Sequence, residues 1–534
     1  MKIQMKPTPN TPSLSPLPLD KRQAGILLHP TSLPGGAGSG HGDLGKNAYR
    51  FVDFLKAGGF RVWQTLPLGP TGAYHNPYSS PSVNGGNTQL ISLEKLVERG
   101  WLDSVTDDDA GGNSPAREKN SFAPEAFARH KRDLVRARAG FLKRASGKEG
   151  DEYEAFLVAQ GYWLDDYSLF EALRQAHGGA PWREWPAPLR DREQAAMENA
   201  RKELLDLIQQ IRFEQFLFFQ QWFDLKKYAN RQGIGLFGDM PIFVDLNSDS
   251  VWSHRYYFRL DEEGQPTVVT GVPPDYFAET GQLWGNPHYD WERMRKDDFL
   301  WWRNRFRGHL QLFDILRIDH FRGFEAHWEV PGGDKTAMNG RWVEAPGMEL
   351  FTVLRERFPT LPLVAEDLGV ITPEVDALRD HFGFPGMRVL QFGFDGNADN
   401  THVPHAHIAN AVVYAGTHDN DTTLGWLESL PEAERTRVRR YLDVHEKNIP
   451  KGLMRSALAS VGNLAVLTMQ DILGLGSEGR MNRPGVAKGN WQWRFSWDQL
   501  PEGTEDYLRE LVERYGRAPG RASIAENTAE NDAN

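Results

Sequence analysis

Short apolar runs alternate with longer segments of helical periodicity along most of this chain. The first two runs cover residues 25–30 and 61–67, and between them residues 44–57 repeat apolar side chains at helical spacing before Gly58 and Gly59, a common helix end. Six further runs follow at 235–244, 313–319, 363–367, 388–392, 412–419 and 464–471. The segments that separate most of them have helical patterns, at 204–230, 299–312, 373–382 and 432–442.

Eight strand candidates that alternate with helices predict the α/β class and, within it, a (β/α)₈ TIM barrel. An open doubly wound sheet is the alternative, but no Gly-x-Gly-x-x-Gly follows the first run, so a dinucleotide site has no support. Residues 73–202 break the repeat, with helical patterns at 123–145 and 153–177. They predict an inserted, mainly helical subdomain over the C-terminal face of the strands.

The two ends of the chain differ from its middle. Residues 1–22 are rich in Pro, Ser and Thr, and residues 518–534 are polar, so we expect a disordered leader and a disordered tail around the barrel domain at 23–517. No stretch reaches about 18 consecutive apolar residues, which predicts neither a signal peptide nor a membrane span.

Composition excludes several kinds of site. The 534 residues include no cysteine, so disulfides and thiolate metal sites are excluded and a cytoplasmic location is expected. The formal net charge of −11 argues against nucleic acid as a partner, because such proteins present a basic face.

Charged residues stand at the ends of four of the predicted strands. Active sites of such barrels lie at the C-terminal ends of the strands, so these side chains are expected to converge on one pocket. Any one of them alone could be a hydrogen-bonded strand cap, whereas the whole set favours catalysis. The set comprises Asp239, Arg317, Asp319, Glu366, His418 and Asp419.

Several carboxylates with a histidine suit either a divalent metal site or glycoside chemistry. No His-x-x-x-His spacing occurs around these residues, which weakens the metal interpretation. The polar loops at 74–78 and 275–287 mix aromatic rings with amides and hydroxyls, as sugar-binding loops do, and the chain has 17 tryptophans. We therefore expect a sugar substrate and neither a metal nor a cofactor.

Six ordered motifs then identify a resemblance over residues 25–495. They are LHPTSLP at 28–34, WQTLPLGPTG at 63–72, GVPPDYF at 271–277, AEDLG at 365–369, GTHDNDTT at 416–423 and GNWQWR at 489–494. The chain resembles the 4-α-glucanotransferases of the amylomaltase type, also called disproportionating enzymes, which are relatives of the α-amylase superfamily.

The resemblance implies roles for individual residues. Asp319 is implied to be the nucleophile, Glu366 the acid/base and Asp419 the third acid that distorts the sugar ring, with Arg317 holding Asp319 ionised. A retaining mechanism of this kind requires the carboxyl groups of Asp319 and Glu366 to be about 5–5.5 Å apart. The implied substrate-binding residues are Tyr78, Asp239, Tyr276, Phe277, Gln282, Trp284, Asn286, Arg317, His320 and His418.

The implied function is retaining transfer of α-1,4-glucan segments. The donors would be maltooligosaccharides or starch, and the acceptor the 4-hydroxyl of glucose or of another oligosaccharide. An α-amylase-like hydrolase and a non-catalytic glycan-binding protein are the alternatives. The chain departs from the family pattern at His75 and Asn76, before Pro77 and Tyr78, where an acidic or small polar pair is common.

Overall fold

The structure is a computed structural model, which describes residues 17–36, 40–72, 74–106, 124–274 and 279–519. Twelve strands lie in these residues: β1 (Gln23–Leu27), β2 (Val62–Gln64), β3 (Gly235–Pro241), β4 (Val268–Val272), β5 (Gln282–Pro287), β6 (Ile315–Asp319), β7 (Ala326–Pro331), β8 (Arg341–Glu344), β9 (Leu363–Ala365), β10 (Gly386–Val389), β11 (Ala411–Tyr414) and β12 (Leu464–Thr468).

The same residues contain seventeen α-helices. They are α1 (Lys46–Ala57), α2 (Leu93–Glu98), α3 (Pro124–Arg144), α4 (Gly147–Ala176), α5 (Ala187–Arg190), α6 (Gln194–Glu203), α7 (Leu205–Arg231), α8 (Asp249–Ser253), α9 (Trp291–Arg295), α10 (Leu300–Leu312), α11 (Gly347–Arg357), α12 (Pro373–Phe382), α13 (Thr423–Ser429), α14 (Glu432–Leu442), α15 (Ile449–Ala459), α16 (Met469–Leu473) and α17 (Thr504–Arg514).

Eight strands form one parallel sheet in the order β10-β11-β12-β1-β2-β3-β6-β9. Strand β12 pairs with β1, so the sheet curls back on itself. The remaining seam lies between β9 and β10, where the Ala365 N–H donates to the Pro385 carbonyl at 2.9 Å. The predicted (β/α)₈ barrel is confirmed, and each of the eight apolar runs supplies one of its strands.

Successive side chains along each barrel strand point alternately to the two faces of the sheet, which gives two apolar layers. One layer receives residues from all eight strands, including Phe237 and Ile315, and fills the barrel interior. The intervening residues, such as Leu316 and Ile318, pack with the helices outside. Because side chains two apart share a face, Arg317 follows Ile315 on the inner side of β6. The interior is therefore apolar below and charged at the mouth.

The helices agree closely with the sequence periodicity. The patterns at 373–382 and 432–442 are α12 and α14, and those at 204–230 and 299–312 are α7 and α10. Helices α2 to α5 and all but the last residue of α6 fall within the predicted insertion, and α4 begins at a capping box in which Ser146 and Glu149 bond each other's backbone N–H. The boundaries assigned to the insertion and to the barrel domain remain predictions.

A second sheet was not predicted from the sequence. Strands β5, β4, β7 and β8 pair antiparallel in that order. The strands contain Gly, Pro and charged residues, and a bulge interrupts the pairing of β4 with β5 between Val269 and Gly271. No simple alternation of apolar and polar side chains therefore marks them. Asn286 ties the sheet to the barrel mouth, since its Nδ2 donates to the Val244 carbonyl at 2.8 Å.

The ends of the described chain contact the barrel. Within the segment 1–22 that we expected to be disordered, Leu17 and Leu19 pack against the interior apolar cluster. Residues 1–16 and 520–534, which make up most of the predicted leader and tail, lie outside the described residues. None of the helices in the described ranges combines the length and the apolar character needed to cross a bilayer.

Arg517 joins the end of the described chain to the base of the barrel. Its side chain is 0% exposed, and its three nitrogens donate five hydrogen bonds to backbone carbonyls. The acceptors are Leu458 at 2.6 Å, Gln23 at 2.8 Å, Asn463 at 3.1 Å, Ser460 at 2.7 Å and Gly462 at 2.9 Å. These carbonyls lie next to the first residues of β1 and β12, where the sheet curls back.

We predict that Arg517→Ala destabilises the protein by at least about 3 kcal/mol, because several buried carbonyls lose their donors at once. The melting temperature, followed by circular dichroism, measures the loss. Arg514→Ala is the matched control, since the Arg514 side chain is half exposed and forms an ion pair with the exposed Glu510. Equal melting temperatures for the two variants would contradict the structural role of Arg517.

Candidate active site

Strand register brings the predicted site residues to one level of the barrel mouth. Asp239 on β3 pairs with Arg317 on β6, and Ile318 on β6 pairs with Ala365 on β9. Asp319 and Glu366, each one residue further along, therefore face each other across adjacent strands, which lie about 4.8 Å apart in a sheet. Both carboxyl groups stand where the apolar interior ends.

Arg317 joins two of the carboxylates. Its Nη1 lies 2.8 and 2.7 Å from the two oxygens of Asp239, and its Nη2 lies 2.9 Å from Oδ1 of Asp319. Arg317 and Asp239 are 4% and 1% exposed, so neither charge is solvated by bulk water. Burial alone would lower the pKa of Arg317, but Asp239 and Asp319 outweigh burial and raise it, which keeps the guanidinium charged.

Asp319 is the outermost member of this chain of charges, with a side chain 32% exposed to the cleft. Burial raises the pKa of Asp319, and the Arg317 guanidinium acts in the opposite direction. The contact with the guanidinium favours the ionised form of Asp319. The exposed oxygen of Asp319 is therefore an anionic group that a ligand can reach.

Glu366 sits in a different environment, although it is the neighbour of Asp319. Its Oε2 accepts the His320 N–H at 2.6 Å and its Oε1 the Leu368 N–H at 3.0 Å. Burial raises the pKa of Glu366 to about 8; Arg317 lowers it, and the Asp319 charge raises it further. Glu366 is thus the carboxyl group suited to hold a proton near neutral pH, whereas Asp319 contacts the guanidinium of Arg317.

The backbone of His320 is unusual, with φ 54° and ψ 50° in the left-handed region. Residues other than glycine seldom adopt it, and such conformations concentrate at functional sites. In this conformation the N–H of His320 reaches Glu366. Burial also lowers the pKa of the His320 imidazole to about 3, so the ring is neutral.

Tyr78, His418 and Asp419 form the opposite wall. The Tyr78 hydroxyl donates to Asp239 Oδ2 at 2.7 Å and lies 2.8 Å from Nε2 of His418, whose ring is stacked on Tyr78 with centroids 5.2 Å apart. The Asp419 side chain is 47% exposed, with Oδ2 3.4 Å from the same Nε2. Asp419 is therefore the most accessible of the four acids in the site.

Three residues that were not among the predicted site residues also shape this wall. Asn482 Nδ2 donates to Oδ1 of Asp419 at 2.6 Å, and Arg480 Nη2 donates to the Asp419 carbonyl at 3.0 Å. The Trp491 ring lies 5.9 Å from that of Tyr78. All three follow β12, the last barrel strand, and loops after barrel strands are where binding residues are expected. Their position after the last predicted strand was the signal in the sequence that could have identified them as site residues.

Strand β5 supplies the residues nearest to His320 from the second sheet. Trp284 is 39% exposed and meets the His320 ring edge-on at 4.8 Å, and its Nε1 donates to Gln282 Oε1 at 3.3 Å. Asn286 uses its Nδ2 on the Val244 carbonyl, so it fixes β5 in place. Tyr276 and Phe277, also predicted to bind substrate, lie outside the described residues.

The arrangement suits proton transfer and nucleophilic attack at a sugar carbon. One carboxyl group contacts a guanidinium, its neighbour has a raised pKa, and a third acid is open to solvent, with aromatic rings around them. A metal ion between Asp239 and Asp319 would have to displace the guanidinium that already joins them. The geometry therefore favours glycoside chemistry over the metal interpretation.

Comparison with known proteins agrees with this chemistry. A family model described as 4-alpha-glucanotransferase matches residues 28–499. The 4-alpha-glucanotransferase of Thermus thermophilus is 48% identical over 500 residues, which cover 92% of this chain and 98% of that protein. The chloroplastic/amyloplastic 4-alpha-glucanotransferase of Solanum tuberosum is 43% identical over 511 residues, 94% of this chain and 87% of that protein.

Solved structures give the same result. The amylomaltase from Streptococcus agalactiae in complex with acarbose superposes with a TM-score of 0.86 at 36% identity, covering 93% of this chain and 100% of that chain. The amylomaltase from Corynebacterium glutamicum shares the fold. It superposes with a TM-score of 0.73 at 17% identity, covering 94% of this chain and 76% of that chain. The resemblance in the sequence is confirmed, and the chain belongs to the 4-alpha-glucanotransferase family.

Proposed function

We propose that this protein transfers segments of α-1,4-glucans from one maltooligosaccharide or starch chain to the 4-hydroxyl of another glucan or of glucose. Membership of the family supports the activity. The observation that carries the mechanism is the difference in surroundings of the two acids: Arg317 contacts Asp319 directly, whereas Glu366 accepts two backbone N–H groups and has a raised pKa.

In the first half of the reaction Asp319 attacks the anomeric carbon of the donor. The glycosidic C–O bond breaks, and Glu366 gives its proton to the departing oxygen, so the leaving glucan ends in a neutral hydroxyl. The donor segment stays on the enzyme as an ester of Asp319. Loss of its proton leaves Glu366 ionised beside the esterified, and now neutral, Asp319.

In the second half Glu366 acts as a base. It removes the proton from the 4-hydroxyl of the acceptor, whose oxygen attacks the anomeric carbon and releases the carboxylate of Asp319. Two inversions retain the α configuration. For this route the carboxyl groups should lie about 5–5.5 Å apart, which their places on neighbouring strands support.

Asp419 is proposed to bind hydroxyl groups of the sugar at the cleavage point. Its exposed carboxylate is aimed by Asn482 and lies beside His418, so an acceptor and a donor of hydrogen bonds stand together. Tyr78 supplies an aromatic wall on this side. Asp239 has both oxygens engaged by Arg317 and Tyr78, so we propose that it positions these two residues.

Transfer instead of hydrolysis requires that a sugar hydroxyl reaches the ester before water does. We propose that the second sheet provides that selectivity, with Trp284 beside His320, Gln282 bonded to Trp284, and Tyr276 and Phe277 in the sequence between β4 and β5. An α-amylase-like hydrolase and a non-catalytic glycan binder are the weaker candidates, because the relatives described above, which match over most of this chain, are named as transferases. A cytoplasmic location remains a prediction, supported by the absence of cysteine from the sequence.

Incubation of the purified protein with maltotriose tests the activity. We expect glucose together with a series of maltooligosaccharides longer than maltotriose, resolved by anion-exchange chromatography. Asp319→Asn, which keeps the size of the side chain and removes its charge, is the control and should form no product. Only products shorter than maltotriose would identify a hydrolase, and no product from the unaltered protein would support a binding protein.

The pH dependence of transfer tests the role of Glu366. Below pH about 8 its carboxyl group keeps the proton that the leaving oxygen needs, so kcat/KM should fall as pH rises past about 8. Glu366→Gln should lower kcat at least about 100-fold and remove this alkaline decline, with maltooligosaccharide binding retained. An unchanged alkaline decline in the Gln variant would assign it to another group.

A further inference from the structure

Trp342 is a half-exposed aromatic residue on β8, the edge strand of the second sheet. It pairs across the sheet with Trp328, and the two rings meet edge to face with centroids 5.2 Å apart. The guanidinium of Arg322 lies 3.8 Å from the centroid of the Trp342 ring. Even so, Trp342 is 40% exposed. One face of the indole is thus covered by a cation, and part of the ring remains open to solvent.

The ring is also held in a fixed orientation. Trp328, its neighbour, donates its own indole N–H to the Ala337 carbonyl at 2.9 Å. This hydrogen bond fixes the Trp328 ring against which Trp342 packs. Glu344, two residues along β8, shares the face of Trp342 and is exposed. A rigid, flat apolar surface beside a carboxylate has the chemistry that binds a sugar ring, whose C–H face stacks and whose hydroxyls donate.

Arg322 connects this ring to both catalytic loops. It follows Asp319 by three residues, and its Nη1 donates to the carbonyl of Val370, which follows Glu366 by four residues. Four residues span at most about 14 Å, so Arg322 holds the ring beside the loop that carries the acid/base. Val370 itself is 65% exposed, so this part of the loop is open to solvent.

We propose that Trp342 is a binding platform for the glucan that enters and leaves on the Glu366 side, away from the sugar at the cleavage point. The inference rests on the proposed function. Glu366 protonates the leaving oxygen and activates the acceptor hydroxyl, so the glucan beyond that oxygen runs along the loop of Glu366. Trp342 stacks on a sugar of this chain, and short acceptors do not reach it.

The experiment compares two radiolabelled acceptors, maltose and maltohexaose, with maltotriose as the common donor. In Trp342→Ala the KM for maltohexaose should rise about fivefold, as expected for loss of one stacking contact, while kcat and the KM for maltose stay within about twofold. Trp342→Tyr should restore most of the affinity. Trp342→Leu, which fills the space on Arg322 and Trp328 without a ring, should behave like the Ala variant and decides the question if the Ala variant does not fold.

Tyr507→Ala is the matched control. Tyr507 is 37% exposed with Lys451 5.7 Å from its ring, but it lies on α17, away from the catalytic loops, and its loss should affect neither acceptor. Equal changes for maltose and maltohexaose in the Trp342 variants, or none, would overturn the platform and leave Trp342 with a structural role. Failure of the unaltered protein to elongate either acceptor would instead overturn the proposed function.

Discussion

The ion pairs of Arg317 with Asp239 and Asp319 are the constraint on which the rest of the site depends. A buried guanidinium needs compensating charge, and Asp239 supplies it from the neighbouring strand with both oxygens. The second contact, to Asp319, then holds an ionised carboxylate at the surface of the cleft. Removing Arg317 would leave Asp239 as an unpaired buried charge, so the site and the barrel mouth would be lost together.

The same ion pairs explain why two neighbouring acids differ. Arg317 touches Asp319 directly, whereas Glu366 is in contact with two backbone N–H groups and feels the negative charge of Asp319. Burial then decides the protonation of Glu366. Tyr78 couples this arrangement to the opposite wall, because its hydroxyl bonds Asp239 and His418. One arginine thus links the carboxyl groups of the site to the position of the wall formed by Tyr78, His418 and Asp419.

The sequence predicted the barrel well because its strands are buried on both faces, which leaves continuous apolar runs such as 412–419 and 464–471. The second sheet escaped prediction, since its strands pair over a bulge and carry Trp, Gly and charged residues without a simple period. Strand-end acids could be recognised one by one. The partners of Asp239, Asn286 and Asp419 could not, because Arg317, Val244 and Asn482 reach them only through the fold.

The most direct test of the central claim is to identify the atom that carries the sugar during turnover. A 5-fluoro-α-glucosyl fluoride transfers its 5-fluoroglucosyl group to the nucleophile of a retaining enzyme with loss of fluoride. The resulting ester is hydrolysed only slowly, so it can be found by peptide mass spectrometry. We expect one glucosyl ester, on the peptide that contains Asp319. Its rate of formation should equal the rate at which the enzyme loses activity. An ester on Glu366 or Asp419, or inactivation without any covalent glucosyl group, would contradict the division of roles between the ionised and the protonated acid.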